Sequence, residues 1–197
     1  MNLLIRSTSF LLNDNLAWEK ISNNKILFSE YNDLFSNFKN KKFDYEILLI
    51  FSKDFIDQFS LNQSLQNKKI NKLIEAIKSK SKLNKNTKYL IFFSSYYFNN
   101  ISENLKSNLN NDYKKKFSDK MYKAIKNNNN IFYIDIDKFF SEKGFESCFD
   151  SRNLYHLRCP LSLNGLEIFI STINKVIQNI NLPRKKVLLL DCDNTLW

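Results

Sequence analysis

The sequence predicts an α/β fold, a doubly wound sandwich of three layers with a mostly parallel sheet. Short apolar runs rich in β-forming residues recur along the chain, and helix-length amphipathic segments separate them. Several runs are continuously apolar, which is typical of parallel strands covered on both faces. The predicted strands are residues 3–9, 25–29, 46–51, 88–94, 131–136 and 186–190.

The helices are predicted from apolar residues that repeat at spacings of three and four. The two repeats are Ile70, Leu73, Ile74 and Ile77, and Leu166, Phe169, Ile170, Ile173, Val176 and Ile177. A surface helix is also predicted over residues 113–125, in the most polar part of the chain. Pro183 then marks a helix stop and a linker. It separates a predicted domain over residues 1–182 from the beginning of another at 183–197.

The chain is basic, with a formal net charge of +10 over 197 residues. Its lysines are interspersed with acids, and the densest cluster, Lys114 to Lys116, is predicted to be a solvated helix face. No signature of a nucleic-acid-binding module accompanies this cluster, so nucleic acid is not expected as a partner. The positive charge favours an acidic partner through electrostatic steering.

Cysteine usage and the N-terminal sequence predict a cytoplasmic protein. Cys148, Cys159 and Cys192 form no CxxC pair, and their odd number argues against a disulfide framework. The opening MNLLIRSTSFLLND is too short and too polar for a secretory signal. No run approaches the roughly 18 apolar residues of a membrane-spanning helix.

The densest group of chemically active residues is DCDNTLW, residues 191–197, which follows the last predicted strand. Open parallel sheets place their sites at the carboxyl ends of strands, where Asp191 and Asp193 can face one cavity. Two carboxylates at such a short distance favour a shared cation, because their like charges repel each other. Mg²⁺ suits this role, since it prefers oxygen ligands. One carboxylate can then attack phosphorus while the other moves protons. The alternative is a simple Asp-Asn turn after a strand.

The complete string resembles motif I of the haloacid dehalogenase (HAD) superfamily, in which D-x-D-x is followed by Thr or Val, and in particular its FkbH-like branch (subfamily IIIC). The resemblance implies that Asp191 is the nucleophile and a Mg²⁺ ligand. Asp193 would be the general acid/base and would also bind Mg²⁺ through its backbone carbonyl. Thr195 would support the phosphate-binding site. Cys192 is expected to pack beside the strand, and a thiol that carries an acyl group is the alternative.

The resemblance extends upstream, because FkbH-like proteins often carry an N-terminal α/β domain related to the SGNH-hydrolase fold. Four stretches are similar to it: residues 5–10, 30–33, 43–55 and 149–169. The implied activity is Mg²⁺-dependent phosphatase or phosphoryl and glyceryl transfer, with an acyl carrier protein as partner, in secondary-metabolite or surface-polysaccharide biosynthesis. The family's Ser or Thr, Lys and distal acidic pair follow motif I. Residues 1–197 are therefore expected to be a fragment that is inactive alone.

Two other functions stay open for the N-terminal domain: a non-catalytic module that binds a carrier protein, and an SGNH-type esterase with a degenerate triad. Ser7 or Ser9 stands where an SGNH nucleophile would follow the first strand, and His156 is the only histidine. However, Asn153 occupies the position of the expected Asp, and His156 comes too early relative to the last turn.

Six further side chains are given structural predictions. Asp150 and Arg152 are expected to form a local ion pair, with phosphate binding as the alternative. The aromatic residues expected in the core are Trp18, Tyr31, Tyr155 and Phe169.

Overall fold

A five-stranded, wholly parallel sheet with the strand order β2-β1-β3-β4-β5 forms the centre of the molecule. The computed structural model describes residues 1–12, 16–21, 25–36, 38, 41–52, 63–95 and 107–183. The strands are β1 (Asn2–Ser7), β2 (Lys25–Phe28), β3 (Tyr45–Phe51), β4 (Lys88–Ser94) and β5 (Ile131–Asp135). They confirm the first five predicted strands, whereas the sixth, 186–190, lies outside the described residues.

The described residues include five α-helices and two short 3-10 helices, which lie between the strands or after β5. The α-helices are α1 (Gln63–Leu83), α2 (Ser107–Ile125), α3 (Asp137–Glu142), α4 (Ser151–Leu157) and α5 (Leu163–Asn181). The 3-10 helices are Leu16–Ile21 and Phe145–Cys148. The three predicted helices are confirmed as α1, α2 and α5, and α5 ends just before Pro183, as expected.

The sheet has one apolar core on each face, which confirms the doubly wound three-layer sandwich. On one face, Ile5, Leu49 and Phe92 pack with residues of α5 and of the first 3-10 helix. On the other face, alternate residues such as Leu48 and Ile50 pack with α1 and α2. Because successive side chains of a strand point to opposite faces, continuously apolar strands supply both cores.

The start of α5 lies unusually close to the preceding 3-10 helix. Ser162 caps α5 by accepting a hydrogen bond from the backbone N–H of Gly165 at 3.1 Å. A Cβ atom at Gly165 would lie only 2.1 Å from the carbonyl oxygen of Cys148. Glycine at this position therefore allows the two backbones to approach each other.

Two of the four aromatic residues expected in the core are confirmed there. Trp18 is 6% exposed and Phe169 is fully buried, and their rings lie edge to face at 6.4 Å. The prediction was wrong for Tyr31 and Tyr155, which are 41% and 74% exposed. Tyr31 follows β2 at the carboxyl edge of the sheet, and Tyr155 lies on α4. At both places the ring is only partly covered by neighbouring residues.

Four further expectations concern the cysteines, the lysine cluster on α2, membrane-spanning helices and the domain boundary. Cys148 and Cys159 are buried and form no disulfide with a described residue, and burial raises the pKa of the Cys148 thiol. Lys115 and Lys116 are exposed on α2, as expected for a solvated face. None of the described helices has the length and apolar composition to cross a membrane. The domain boundary near Pro183 stays a prediction.

Candidate functional site

The candidate site lies at the carboxyl edge of the sheet. With the strand order β2-β1-β3-β4-β5, the chain leaves β1 toward one side and β3 toward the other, so a topological switch point falls between these two strands. In open α/β sheets, ligands bind in the crevice outside the strand ends at such a point. Here the ends carry hydroxyl side chains: Ser7, Thr8 and Ser9 after β1, and Ser52 after β3.

Local hydrogen bonds shape the turn after β1. The Ser7 hydroxyl accepts a bond from the Ser9 backbone N–H at 3.1 Å, which ends the strand two residues earlier than predicted. The Thr8 hydroxyl accepts a bond from the backbone N–H of Phe51 at 3.1 Å and holds the turn against β3. Ser9 is 3% exposed, and its Oγ has no hydrogen-bond partner among the described residues. Ser9 therefore presents the unengaged hydroxyl of this turn.

His156 stands in the last turn of α4 with an exposed side chain. The backbone N–H of Phe10 donates to the carbonyl oxygen of Arg158 at 3.1 Å, which places the end of α4 beside the turn after β1. Within the described part of the chain, no hydrogen bond joins the imidazole to Ser7 or Ser9. The structure thus brings the three predicted esterase residues to one region without assembling them into a triad.

Asp150 has a structural role at the start of α4. Its carboxylate accepts hydrogen bonds from the backbone N–H groups of Arg152 at 2.8 Å and Asn153 at 3.3 Å, as an N-cap does. The Nε atom of Arg152 lies 3.8 Å from the same oxygen. The predicted local ion pair is confirmed, and it is solvent-exposed on the arginine side.

Asp137 joins the ends of β4 and β5, and it was not predicted as a site residue from the sequence. Its carboxylate accepts a bond from the Ser94 hydroxyl at 2.7 Å, one from the Ser95 backbone N–H at 2.9 Å and one from the Ser95 hydroxyl. With Asp135 it repeats the D-x-D spacing after an apolar strand, a signal that the sequence offered. Because donors of Ser94 and Ser95 engage its carboxylate, Asp137 links the ends of β4 and β5 at this edge of the sheet.

A buried ionic cluster holds the segment after β2 against the sheet. Arg6, 1% exposed, donates from Nε to Glu46 at 2.6 Å and from its two terminal nitrogens to the carbonyl oxygens of Asp33 at 2.9 Å and Ser36 at 2.6 Å. Burial favours a higher pKa for Asp33, but hydrogen bonds from Ser36 and the charge of Arg6 hold it below its usual value. The cluster thereby fixes the chain that leads away from Tyr31.

An aromatic pair lies exposed at the same edge. The rings of Phe10 and Tyr31 stack with centroids 4.5 Å apart and an interplanar angle of 13°, and the guanidinium carbon of Arg158 lies 6.0 Å from the Tyr31 centroid. Phe10 and Tyr31 are 45% and 41% exposed. Leu157, which directly precedes Arg158 in the sequence, is 51% exposed. We call these four residues, Phe10, Tyr31, Leu157 and Arg158, the aromatic–arginine surface.

The predicted metal and catalytic residues, Asp191, Asp193 and Thr195, lie outside the described residues, as does Cys192. Within the described ranges, no group of three His, Cys, Asp or Glu side chains could hold a metal ion. The two carboxylates at positions 191 and 193 match the oxygen ligands that Mg²⁺ prefers, so the donor chemistry fits. Their roles stay predictions.

No known family model matches the sequence, and no curated protein matches it. Among solved structures, the chain is similar to the crystal structure of the N-terminal part of the protein BF1531 from Bacteroides fragilis, which contains a phosphatase domain complexed with Mg. The TM-score is 0.73 at 19% sequence identity, over 98% of this chain and 56% of that one. The chain thus spans about half the length of this structure. The comparison shows a shared α/β fold.

Proposed function

We propose that this chain is the N-terminal part of a Mg²⁺-dependent phosphatase or phosphoryl and glyceryl transferase of the FkbH-like branch of the HAD superfamily. The observation that carries the proposal is DCDNTLW, residues 191–197, with its two aspartates after an apolar run. The likeness in fold to a chain that contains a Mg-complexed phosphatase domain supports it from an independent direction.

In this proposal, each residue of the motif has one chemical task. A carboxylate oxygen of Asp191 attacks phosphorus and forms an acyl phosphate as the P–O bond to the leaving group breaks. Asp193 gives its proton to the departing oxygen and then takes one from the water that releases phosphate. Thr195 holds the phosphoryl oxygens. Bound Mg²⁺ would supply positive charge that allows the two carboxylates and the phosphate to lie together.

We further propose that the partner is an acidic acyl carrier protein. The net charge of +10 supports this, because a basic protein attracts an acidic one over a distance set by the ionic strength. The N-terminal α/β domain, which lacks an assembled triad among its described residues, then acts as the carrier-binding part of the protein.

Phosphatase assays on two proteins test the catalytic proposal. Residues 1–197 alone should not hydrolyse p-nitrophenyl phosphate with Mg²⁺, because the family's remaining catalytic groups are not among them. The protein encoded by the complete gene should hydrolyse it with Mg²⁺ and stop in EDTA. Asp191→Asn should lower kcat by at least about 1,000-fold, since the nucleophile is lost.

The matched control is Asp119→Asn, which removes an exposed carboxylate on α2 and should leave kcat unchanged. Full activity of the complete protein with Asp191→Asn would overturn the role given to Asp191. Metal-dependent turnover by residues 1–197, abolished by the same change, would overturn the expected inactivity of this part.

A further inference from the structure

We propose that the aromatic–arginine surface is the docking site for a small acidic protein that presents an apolar side chain among its carboxylates. This inference rests on the proposed function, in which the partner is an acidic carrier protein. It adds the place on the fold where that partner binds.

The apolar part of the surface has the composition of an interface centre. Phe10, Tyr31 and Leu157 are 45%, 41% and 51% exposed, and Tyr155, one helical turn before Arg158, is 74% exposed. Aromatic residues and arginine are enriched at the centres of protein interfaces and among the residues that contribute most to affinity. Exposed large rings grouped with an arginine therefore indicate binding of another protein.

The surface is held in place before any partner arrives. The Phe10 backbone N–H donates to the carbonyl oxygen of Arg158 at 3.1 Å, and the Phe10 ring stacks on Tyr31 at 4.5 Å. The Arg158 guanidinium lies 6.0 Å from the centroid of the Tyr31 ring. A partner then loses less binding free energy to the ordering of these side chains.

Charge selects an acidic partner. Arg158, which directly follows α4, is exposed, and its guanidinium lies over the Tyr31 ring. The acid nearest in sequence, Asp150, is engaged by backbone N–H groups at the start of α4. Arg158, beside the Tyr31 ring, can pair with a carboxylate of a partner, and the net charge of +10 steers an acidic partner toward the protein.

The same charges fit a nucleic-acid strand less well. Exposed Glu30 directly precedes Tyr31, so an acid borders the surface. Binding to a phosphate backbone depends on several cations that each neutralise one phosphate. An acidic protein with a few localised carboxylates matches this pattern of charges.

Binding measurements with the whole chain and an apo acyl carrier protein as probe test the inference. Titration calorimetry at 50 mM and 500 mM NaCl should show affinity that falls with salt. Tyr31→Ala and Arg158→Asn should each weaken binding about 10-fold at low salt. Asn suits the left-handed backbone of Arg158, whose φ is 52°, so this change removes the charge and preserves the turn.

Two control variants match these changes elsewhere on the chain. Leu83→Ala truncates an apolar side chain that is 80% exposed at the end of α1, and Lys116→Gln removes one exposed charge on α2. Both should bind the probe within about twofold of the parent, as distant surface changes do. Arg158→Asn leaves the side chains of Phe10 and Tyr31 in place, so it tests the surface even if Tyr31→Ala proves unstable.

The outcomes separate the docking surface from the wider proposal. Binding that is unaffected by the Tyr31 and Arg158 variants would overturn the docking surface and leave the carrier protein as the proposed partner. No binding at 50 mM NaCl would overturn both, while the phosphatase assay would still judge the catalytic proposal. Equal binding of a single-stranded DNA 20-mer, weakened by the same variants, would mark a general polyanion site and overturn a protein-specific one.

Discussion

Arg6 and Glu46 form an ion pair inside the protein, across the neighbouring strands β1 and β3. Nε of Arg6 lies 2.6 Å from Oε1 of Glu46, and the two side chains are 1% and 6% exposed. Lys80 on α1 approaches the same oxygen at 2.7 Å. Asp33, whose side chain is 24% exposed, is a second carboxylate beside Arg6, with Oδ2 at 3.3 Å from a terminal nitrogen of the guanidinium. The buried Glu46 carboxylate therefore faces two cations between the sheet and the helix layer, and Asp33 supports one of them.

Glu46→Gln should lower the free energy of unfolding by about 3 kcal/mol, because it leaves the buried Arg6 guanidinium with only the partly exposed Asp33 as an opposing charge and leaves Lys80 without its partner. Urea denaturation followed by circular dichroism measures this change. Glu75→Gln, at an exposed position of α1, is the matched control and should change stability by less than about 0.5 kcal/mol. A loss below about 1 kcal/mol for Glu46→Gln would show that the pair contributes little.

The lowered pKa of the Asp33 carboxyl predicts that the stability of the protein changes with pH. Burial acts to raise the pKa of its carboxyl, but bonds from Ser36 and the charge of Arg6 outweigh burial and lower it. The stabilisation is then fully present above the unfolded pKa of about 4 and is lost as the pH falls through the lower folded value. The stability difference between the parent and Asp33→Asn should shrink from pH 5 to pH 2.

Urea unfolding midpoints of both proteins, taken at half-unit steps of pH, measure that difference. Asp119→Asn on the exposed face of α2 controls for the general effect of removing a carboxylate. A difference that stays constant over the range would contradict a lowered pKa for Asp33.

Gly165→Ala should destabilise the protein by about 2 kcal/mol, because the new Cβ would lie 2.1 Å from the Cys148 carbonyl oxygen and force two backbones apart. Thermal denaturation measures the effect. Ser171→Ala, on the exposed side of the same helix, should change stability by no more than about 0.5 kcal/mol. Equal melting temperatures for the two variants would show that α5 can shift freely.

Aryl acetate hydrolysis should stay at the background rate, and Ser7→Ala, Ser9→Ala and His156→Ala should leave it unchanged. The reason is that the exposed imidazole makes no hydrogen bond to either hydroxyl within the described part of the chain. A spectrophotometric assay with p-nitrophenyl acetate measures the rate. Hydrolysis that disappears in both Ser9→Ala and His156→Ala would establish the esterase alternative.

The sheet was predictable from the sequence because its strands are nearly continuous apolar runs that both cores bury. The short helices α3 and α4 were not predicted, since six or seven residues are too few for a helical repeat to stand out. Their ends depend on tertiary partners, such as the contact between Phe10 and Arg158.

The features of the site depended still more on contacts between distant parts of the chain. Arg6 gave no sequence signal of burial, because its partner Glu46 lies 40 positions away. Tyr31 was expected in the core because aromatic rings suit both interiors and binding surfaces, and composition does not distinguish the two. Asp191 and Asp193 were identifiable from their motif alone, and their roles stay predictions.

The Arg6–Glu46 pair also bears on the order in which the protein forms during synthesis. β1 and β2 leave the ribosome first, but burial of Arg6 at that stage would leave its charge with only the partly exposed Asp33 and without the buried carboxylate on β3. Packing of the centre of the sheet is therefore favourable only after residues 45–51, which carry Glu46, have emerged. We expect the backbone amides of β1 to exchange with solvent until β3 pairs with it. The outer strands β2, β4 and β5 should pair with these two strands afterwards.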